Sequence, residues 1–76
     1  MTKYAPLETY LRSVKPPMRM TFDEVARLVG GLPPSAYRHQ AWWANSRSHV
    51  EALAWLDAGL RVDEVDLDRE VVVFGR

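Results

Sequence analysis

The sequence predicts a single small α+β domain, with three to four helices, a short strand and a C-terminal β-hairpin. Two observations lead to this class: apolar residues recur at helical spacing as far as Leu56, and after Gly59 their spacing changes to about two. The length sets the number of domains, because 76 residues form one modest hydrophobic core and leave no room for a second. We therefore treat residues 1–76 as one domain.

The first helix is predicted from about Pro6 to Val14. Leu7, then Tyr10 or Leu11, and then Val14 recur at three- and four-residue spacing, which places them on one helical face. The two prolines Pro16-Pro17 are expected to end this helix, because proline cannot donate to the helical hydrogen-bond ladder.

A short extended segment, Met18–Thr21, precedes the second helix. Thr21 and Glu24 have the Thr-x-x-Glu spacing of a capping box, in which the hydroxyl and the carboxylate satisfy backbone N–H groups that the first helical turn leaves free. The pair Gly30-Gly31 is expected to end the helix, since glycine accepts the left-handed conformation. The residues predicted to face inward are Val25, Leu28 and Val29.

Two further helices are predicted before the hairpin. A stiff connector, Leu32–Ser35, leads into a third helix that runs from Ser35 to about residue 43 or 44. Ser48-x-x-Glu51 repeats the capping-box spacing and predicts the start of a fourth helix, with Gly59 as its left-handed cap. The apolar stripe of this fourth helix is Ala52, Leu53, Trp55 and Leu56.

The chain after Gly59 is predicted to form a β-hairpin that turns near Asp68-Arg69. The alternation of apolar residues slips between Val62 and Val65, so we expect a β-bulge near Asp63-Glu64. A short strand ahead of a helical pair, with a two-stranded ribbon behind it, resembles a winged helix that carries an additional helix. Many small DNA-binding domains have this form, although a fold does not by itself fix a function. The apolar positions of the strands are Leu60, Val62, Val65, Leu67 and Val71–Phe74.

Composition excludes several classes of protein. The absence of cysteine excludes a disulfide framework and a thiolate metal site, and it favours a cytoplasmic location. The opening residues lack an apolar signal segment, and no apolar run approaches the roughly 18 residues of a membrane span, so we expect neither secretion nor insertion. The formal charge is zero, yet residues 1–50 hold seven basic and three acidic residues, whereas residues 51–76 hold three basic and seven acidic. This gradient predicts either a dipole that can orient the protein on a polyanion or simply a solvated acidic tail.

The segment Ser35–Val50 is the most informative part of the chain, because it holds no acidic residue and is dense in arginine, histidine and amide side chains. Arginine grips phosphate or pairs with guanine, Asn and Gln read adenine, and serine hydroxyls hold phosphate oxygens. The predicted DNA contacts in this segment are Arg38, His39, Gln40, Trp43, Asn45, Ser46, Arg47, Ser48 and His49. Lys15 and Arg19 are expected to flank the phosphates.

Alternatives stay open for the tryptophans and for Asn45. Helical spacing pairs Arg38 with Trp42 and His39 with Trp43, so both indoles cannot easily point into one core. We expect one indole to pack inward and the other to be partly exposed, where its ring can stack or its N–H can donate to phosphate. Asn45 either contacts a base or simply terminates its helix.

No catalytic or metal site is predicted. His39 and His49 are ten residues apart with no cysteine or acidic residue between them, which matches no zinc-site spacing. The serines, histidines and carboxylates lack the nucleophile, base and acid pattern of a hydrolase, and the glycines form neither a phosphate loop nor a dinucleotide fingerprint. We therefore predict a binding protein rather than an enzyme, without a cofactor or a metal.

Several short motifs occur together along the chain: Leu32-Pro33-Pro34-Ser35-Ala36, Ala41-Trp42-Trp43-Ala44-Asn45, Ser48-His49, Ala54-Trp55-Leu56 and Ala58-Gly59. With the segments Lys3–Leu11 and Val71–Phe74, they resemble a family of short bacterial and phage domains of uncharacterised function, over nearly the whole chain. The resemblance implies DNA binding, for example by a small actinobacterial nucleoid-associated protein.

The leading hypothesis is a small DNA-binding protein, of the transcription-regulator or nucleoid-associated type, that inserts residues 35–49 into a groove of double-stranded DNA. Readers of short palindromic sites usually dimerise, so a homodimer fits this hypothesis. The alternative is a protein–protein interaction module, such as an antitoxin-like or phage-defence adaptor, that offers the acidic hairpin as an edge for strand addition.

Overall fold

One antiparallel sheet and a set of short helices enclose the hydrophobic core. The computed structural model describes residues 2–76, so only the first residue of the predicted domain lies outside the described part. Along the chain these residues form α1 (Ala5–Arg12), β1 (Met18–Thr21), α2 (Phe22–Val29), α3 (Pro34–Arg38), a 3₁₀ helix (Gln40–Trp43), α4 (Ala52–Leu56), β2 (Arg61–Asp66) and β3 (Val71–Gly75). This order confirms the predicted α+β class with its short strand and C-terminal hairpin. None of the helices in this described part is long and apolar enough to cross a membrane.

The central strand of the sheet is the last strand of the chain. β1 and β2 each pair antiparallel with β3, in the order β1-β3-β2. The turn of the hairpin lies at residues 67–70, as predicted. The register shifts between Val62 and Glu64, which confirms the predicted bulge. The bulge places the Asp63 carboxylate over Gly75, where the Cβ atom of any other residue would collide with it.

The two faces of the sheet have different surroundings. Met20, Val72 and Phe74 are buried and belong to the core. Arg19 pairs with Val73, and Val73 pairs in turn with Glu64. Because successive side chains of a strand point to opposite faces, this second row lies on the side away from the helices, which we call the outer face.

Four aromatic rings follow one another through the core. Ring centroids are 4.8 Å apart for Phe22 and Trp43, 6.0 Å for Trp43 and Trp55, and 5.6 Å for Trp55 and Phe74. All four side chains are fully buried, and such aromatic pairs contribute about 0.5–1.5 kcal/mol each beyond the burial of their area. The row therefore ties α2, the 3₁₀ helix, α4 and β3 into one unit.

The predicted capping box at the start of α2 is confirmed. The Thr21 hydroxyl oxygen accepts a hydrogen bond from the Glu24 N–H at 3.0 Å, and the Glu24 carboxylate accepts one from the Thr21 N–H at 2.8 Å. The backbone and side-chain hydrogen bonds from Thr21 hold the pKa of the Glu24 carboxyl below its ordinary value of 4.5. At its other end α2 stops at Gly30, which has a left-handed φ of 77°.

We expect Thr21→Ala to lower the free energy of unfolding by about 1 kcal/mol, because the N–H of Glu24 loses its acceptor. The depressed pKa of Glu24 sets the sign of a pH effect: its stabilisation is present above about pH 4.5 and is lost as the pH falls through the folded-state pKa. Urea denaturation at a series of pH values checks both points. The free energy of unfolding of Glu24→Gln should approach that of the wild type below pH 4.5. A difference that stays constant there would contradict the capping role of the Glu24 carboxylate.

α1 and the predicted third helix differ in extent from the prediction. α1 ends at Arg12 rather than Val14, where the Ser13 hydroxyl and N–H both bond the Tyr10 carbonyl, at 2.8 Å and 3.1 Å. The predicted third helix is two pieces, because His39 is extended, with φ −127° and ψ 116°, between α3 and the 3₁₀ helix.

The second predicted capping box does not form. α4 begins only at Ala52, and no side chain caps it at Glu51, a residue that itself has helical angles. The two residues of the predicted box are engaged elsewhere. The Ser48 hydroxyl bonds that of Ser46 at 2.7 Å, and the buried Glu51 carboxylate lies 3.6 Å from His49 Nδ1.

Candidate nucleic-acid interface

The predicted DNA-binding segment is divided by the break at His39. Since α3 ends at Arg38 and the chain is extended at the next residue, the expected helical pairs with Trp42 and Trp43 do not exist. Instead, three consecutive side chains, Arg38, His39 and Gln40, are exposed where the chain changes direction. We call these three residues the exposed corner.

Trp43 lies in the core, with 1% of its surface exposed. Its indole Nε1–H donates to the Ala36 carbonyl at 2.9 Å, so its one polar atom is also satisfied inside the protein. This burial corrects the prediction of Trp43 as a DNA contact. Trp42 is half-buried, 4.7 Å from Trp43 and 6.1 Å from Tyr4 between ring centroids, and is therefore the more accessible of the two indoles.

Asn45 has its side-chain amide committed to the fold. Oδ1 accepts hydrogen bonds from Trp55 Nε1 at 3.0 Å and from the Val62 N–H at 2.8 Å, while Nδ2 donates to the Val62 carbonyl at 2.9 Å. The amide thus pairs with Val62 as the backbone of a neighbouring strand would. These three bonds correct the prediction that Asn45 reads a base. A signal was present in the sequence: a buried indole N–H needs an acceptor, and an amide can supply one.

Arg47 is exposed but not free. Its Nη1 lies 2.8 Å from Asp57 Oδ1, at the end of α4. An exposed pair of this kind adds at most about 1 kcal/mol of stability, but it cancels most of the positive potential at that point. Ser46 and Ser48 bond each other, and Ser48 N–H also approaches Ser46 Oγ at 3.3 Å. The 46–48 turn therefore presents a neutralised surface rather than the predicted positive one.

His49 belongs to a half-buried cluster with Glu51 and Tyr4. His49 Nδ1 is buried and, within the described residues, has no hydrogen-bond partner. Burial first, and the negative charge of Glu51 second, raise the pKa of Tyr4 above its ordinary value of 10.0. The His49 side chain keeps 38% of its surface exposed, but its Nδ1 is turned toward Glu51, so only the rest of the ring is open to the predicted DNA contact.

A groove on the outer face of the sheet has a volume of about 560 Å³ and brings together residues from both halves of the chain. Arg19 and Gln40, two of the predicted contacts, line it opposite acidic side chains of the hairpin. Arg69 also lines the groove, with Nε 3.9 Å from Asp66 Oδ2. The acidic residues of this groove are Glu64, Asp66 and Asp68.

Lys15 lies at the opposite end of the sheet from the hairpin turn. It lines a cleft of about 430 Å³ with Arg76, a residue that the sequence did not single out. Within residues 2–76, no group of three or more His, Cys, Asp or Glu side chains is arranged to hold a metal ion.

Comparison with known proteins gives one match. The model of a family described as "Domain of unknown function (DUF7662)" matches residues 4–76. No curated protein and no solved structure matches the chain. The family description itself carries no activity, so a function for this chain has to be inferred from the geometry of its surface.

Proposed function

This chain belongs to the DUF7662 family, and we propose that it binds double-stranded DNA through the exposed corner. One observation carries the proposal: Arg38 is exposed and, among the residues that the structure describes, takes part in no ion pair. An arginine with all its donors available can hold a phosphate or pair with guanine, and Gln40 beside it can pair with adenine.

The position of the exposed corner in the fold supports this proposal. α2 and α3 are joined by the four residues 30–33, which include two glycines. A helix-turn-helix unit has a connection of this length, and its second helix enters the major groove. Arg38 closes that second helix, and the β2–β3 hairpin would then be the wing of a winged helix. A DNA-binding role would place the protein at the bacterial nucleoid, and a homodimer would suit a palindromic site.

We expect modest affinity, because the net charge is zero and Arg47 is already paired. Because few phosphates are contacted, we expect non-specific binding with a Kd of about 10⁻⁵ M at physiological salt. A preferred sequence, if the corner reads bases, would lower this Kd by several orders of magnitude.

Arg38→Gln should weaken DNA binding about tenfold at 0.1 M salt and reduce the slope of log affinity against log salt by about 0.9, as expected when one phosphate contact is removed. Arg47→Gln is the matched control. It removes the same charge from a guanidinium that Asp57 already holds, so its effect should stay below about threefold. Fluorescence anisotropy with a labelled duplex at several salt concentrations measures both.

Equal losses in the two variants would mean that net charge alone matters, and the exposed corner would lose its assigned role. A wild-type protein that retards no duplex at low salt would remove DNA binding altogether. That second result would favour the alternative, a protein-binding module.

The groove on the outer face is the observation that favours this alternative. Val71 and Val73 line it beside the acidic residues of the hairpin, so an extended basic segment of a partner could lie there. Addition of a strand to β2 is less favourable than expected, because Asn45 already bonds the N–H and carbonyl of Val62 at that edge. A protein partner would therefore use the face of the sheet and not its edge.

A further inference from the structure

Unpaired positive side chains meet at the open end of the hairpin. In the part of the chain from residue 2 onward, five cationic side chains take part in no ion pair: Lys3, Lys15, Arg19, Arg38 and Arg76. Two of these, Lys15 and Arg76, line the same cleft of about 430 Å³. Asp63 is the one acidic residue of the described chain that lines this cleft, so two cations beside a single carboxylate leave a positive charge that favours a further anion.

The topology of the sheet brings these residues together. Met18 of β1 pairs with Phe74 of β3, so the residues before β1 and after β3 come to the same end of the sheet. Arg61, the first residue of β2, pairs with Gly75 at that end. Three basic residues that are far apart in sequence therefore surround one end of the central strand.

A second cleft shares one lining residue with the first. It has a volume of about 480 Å³ and is lined by Arg61 and Arg76, so Arg76 is common to both. Asp63 is the acidic residue that lines the first cleft, where its carboxylate lies over Gly75. Arg61 Nε is 3.8 Å from Asp63 Oδ1, which is longer than a hydrogen bond. Arg61 is thus only loosely engaged by Asp63, whereas Lys15 and Arg76 take part in no ion pair among the described residues.

We propose that this strand-end cleft, defined by Lys15, Arg61 and Arg76, binds a phosphate group. An arginine offers paired donors that fit two phosphate oxygens, and a lysine adds a point charge from the other side. The source we favour is a phosphate of the DNA backbone, and in that form the inference rests on the proposed function. Free phosphate has the same chemistry, and the experiment separates the two.

The double variant Lys15→Gln/Arg76→Gln tests the cleft. Because it removes the two cations that would hold this phosphate between them, duplex affinity at 0.1 M salt should fall at least about tenfold and the salt slope by about 0.9. The matched control is Arg12→Gln/Arg27→Gln, which removes two exposed arginines that are paired with Glu8 and Asp23. The control should weaken binding by less than about fivefold. Equal effects in the two double variants would overturn the inference, and unchanged melting temperatures would show that both proteins are folded.

A titration of isotope-labelled protein separates the sources of phosphate. Amide resonances of Lys15 and Arg76 are followed by NMR during addition of a duplex, and separately of sodium phosphate against sodium chloride at equal ionic strength. Shifts with both ligands, or with the duplex alone, support a backbone phosphate. Shifts with inorganic phosphate alone support a free-phosphate site, and absence of any shift overturns the inference. Because Arg38→Gln and the cleft variant are measured separately, failure of one assignment does not conceal failure of the other.

Discussion

Trp43→Ala should lower the free energy of unfolding by about 3–5 kcal/mol, the largest effect expected of any substitution proposed for this protein. The indole is in contact with Phe22 on one side and Trp55 on the other, and its N–H is bonded to the Ala36 carbonyl. Alanine would leave a large cavity in a small core and an unsatisfied buried carbonyl. A chain of 76 residues has about 4–11 kcal/mol of stability in total, so much of the variant should be unfolded at 37 °C.

Circular dichroism with urea denaturation measures this loss. Trp43→Phe is the milder variant and should cost about 1–3 kcal/mol, because it keeps a ring in the row but loses the hydrogen bond. It should remain folded and bind DNA as the wild type does, since no part of Trp43 faces solvent. Trp42→Phe, at a half-buried position, should cost less than Trp43→Phe. A stable Trp43→Ala protein with weakened DNA binding would instead restore Trp43 as a contact.

Asn45→Ala should lower the free energy of unfolding by about 3 kcal/mol, which is unusually large for an exposed loop residue. The substitution leaves the fully buried Trp55 indole N–H without an acceptor and removes both bonds to the Val62 backbone. A buried donor without a partner costs about 1–3 kcal/mol by itself. Chemical denaturation monitored by tryptophan fluorescence reports both the stability and the environment of Trp55.

Two further variants identify the origin of that loss. Asn45→Asp keeps an acceptor for Trp55 but replaces the donor to the Val62 carbonyl with a repelling oxygen, so it should fall between wild type and Asn45→Ala. Ser46→Ala, in the same turn, should change stability by less than about 0.5 kcal/mol. If Asn45→Ala proved as mild as Ser46→Ala and reduced DNA affinity, the sequence-based prediction of Asn45 as a base contact would be correct.

The charge gradient along the sequence is not preserved as two separate surfaces. β1, from the basic half, pairs with β3, so Arg19 faces a groove lined by the acidic hairpin. Arg47 reaches Asp57 across the division at residue 50. Among the described residues, this mixing leaves five cations outside any ion pair, and three of them, Arg38, Lys15 and Arg76, lie at the exposed corner and the strand-end cleft.

The features predicted correctly are those that depend on neighbours along the chain. The Thr21–Glu24 capping box, the turn at residues 67–70 and the bulge at Asp63 each involve residues within a few positions of one another. Their backbone angles and hydrogen bonds follow from local residue types. The second capping box had the same local pattern and failed, because the carboxylate of Glu51 is buried beside His49.

The sequence by itself determined the α+β class, the order of the elements and the presence of an acid-free segment rich in DNA-binding side chains. The tertiary structure decided which of those side chains are available. Asn45 is bonded to a backbone 17 residues away, Arg47 to a carboxylate ten residues away, and Trp43 is enclosed by rings from two other elements. Residue type specifies what a side chain can bond. Packing of distant segments decides which partner lies within reach, because a hydrogen bond or ion pair forms only over a few ångströms.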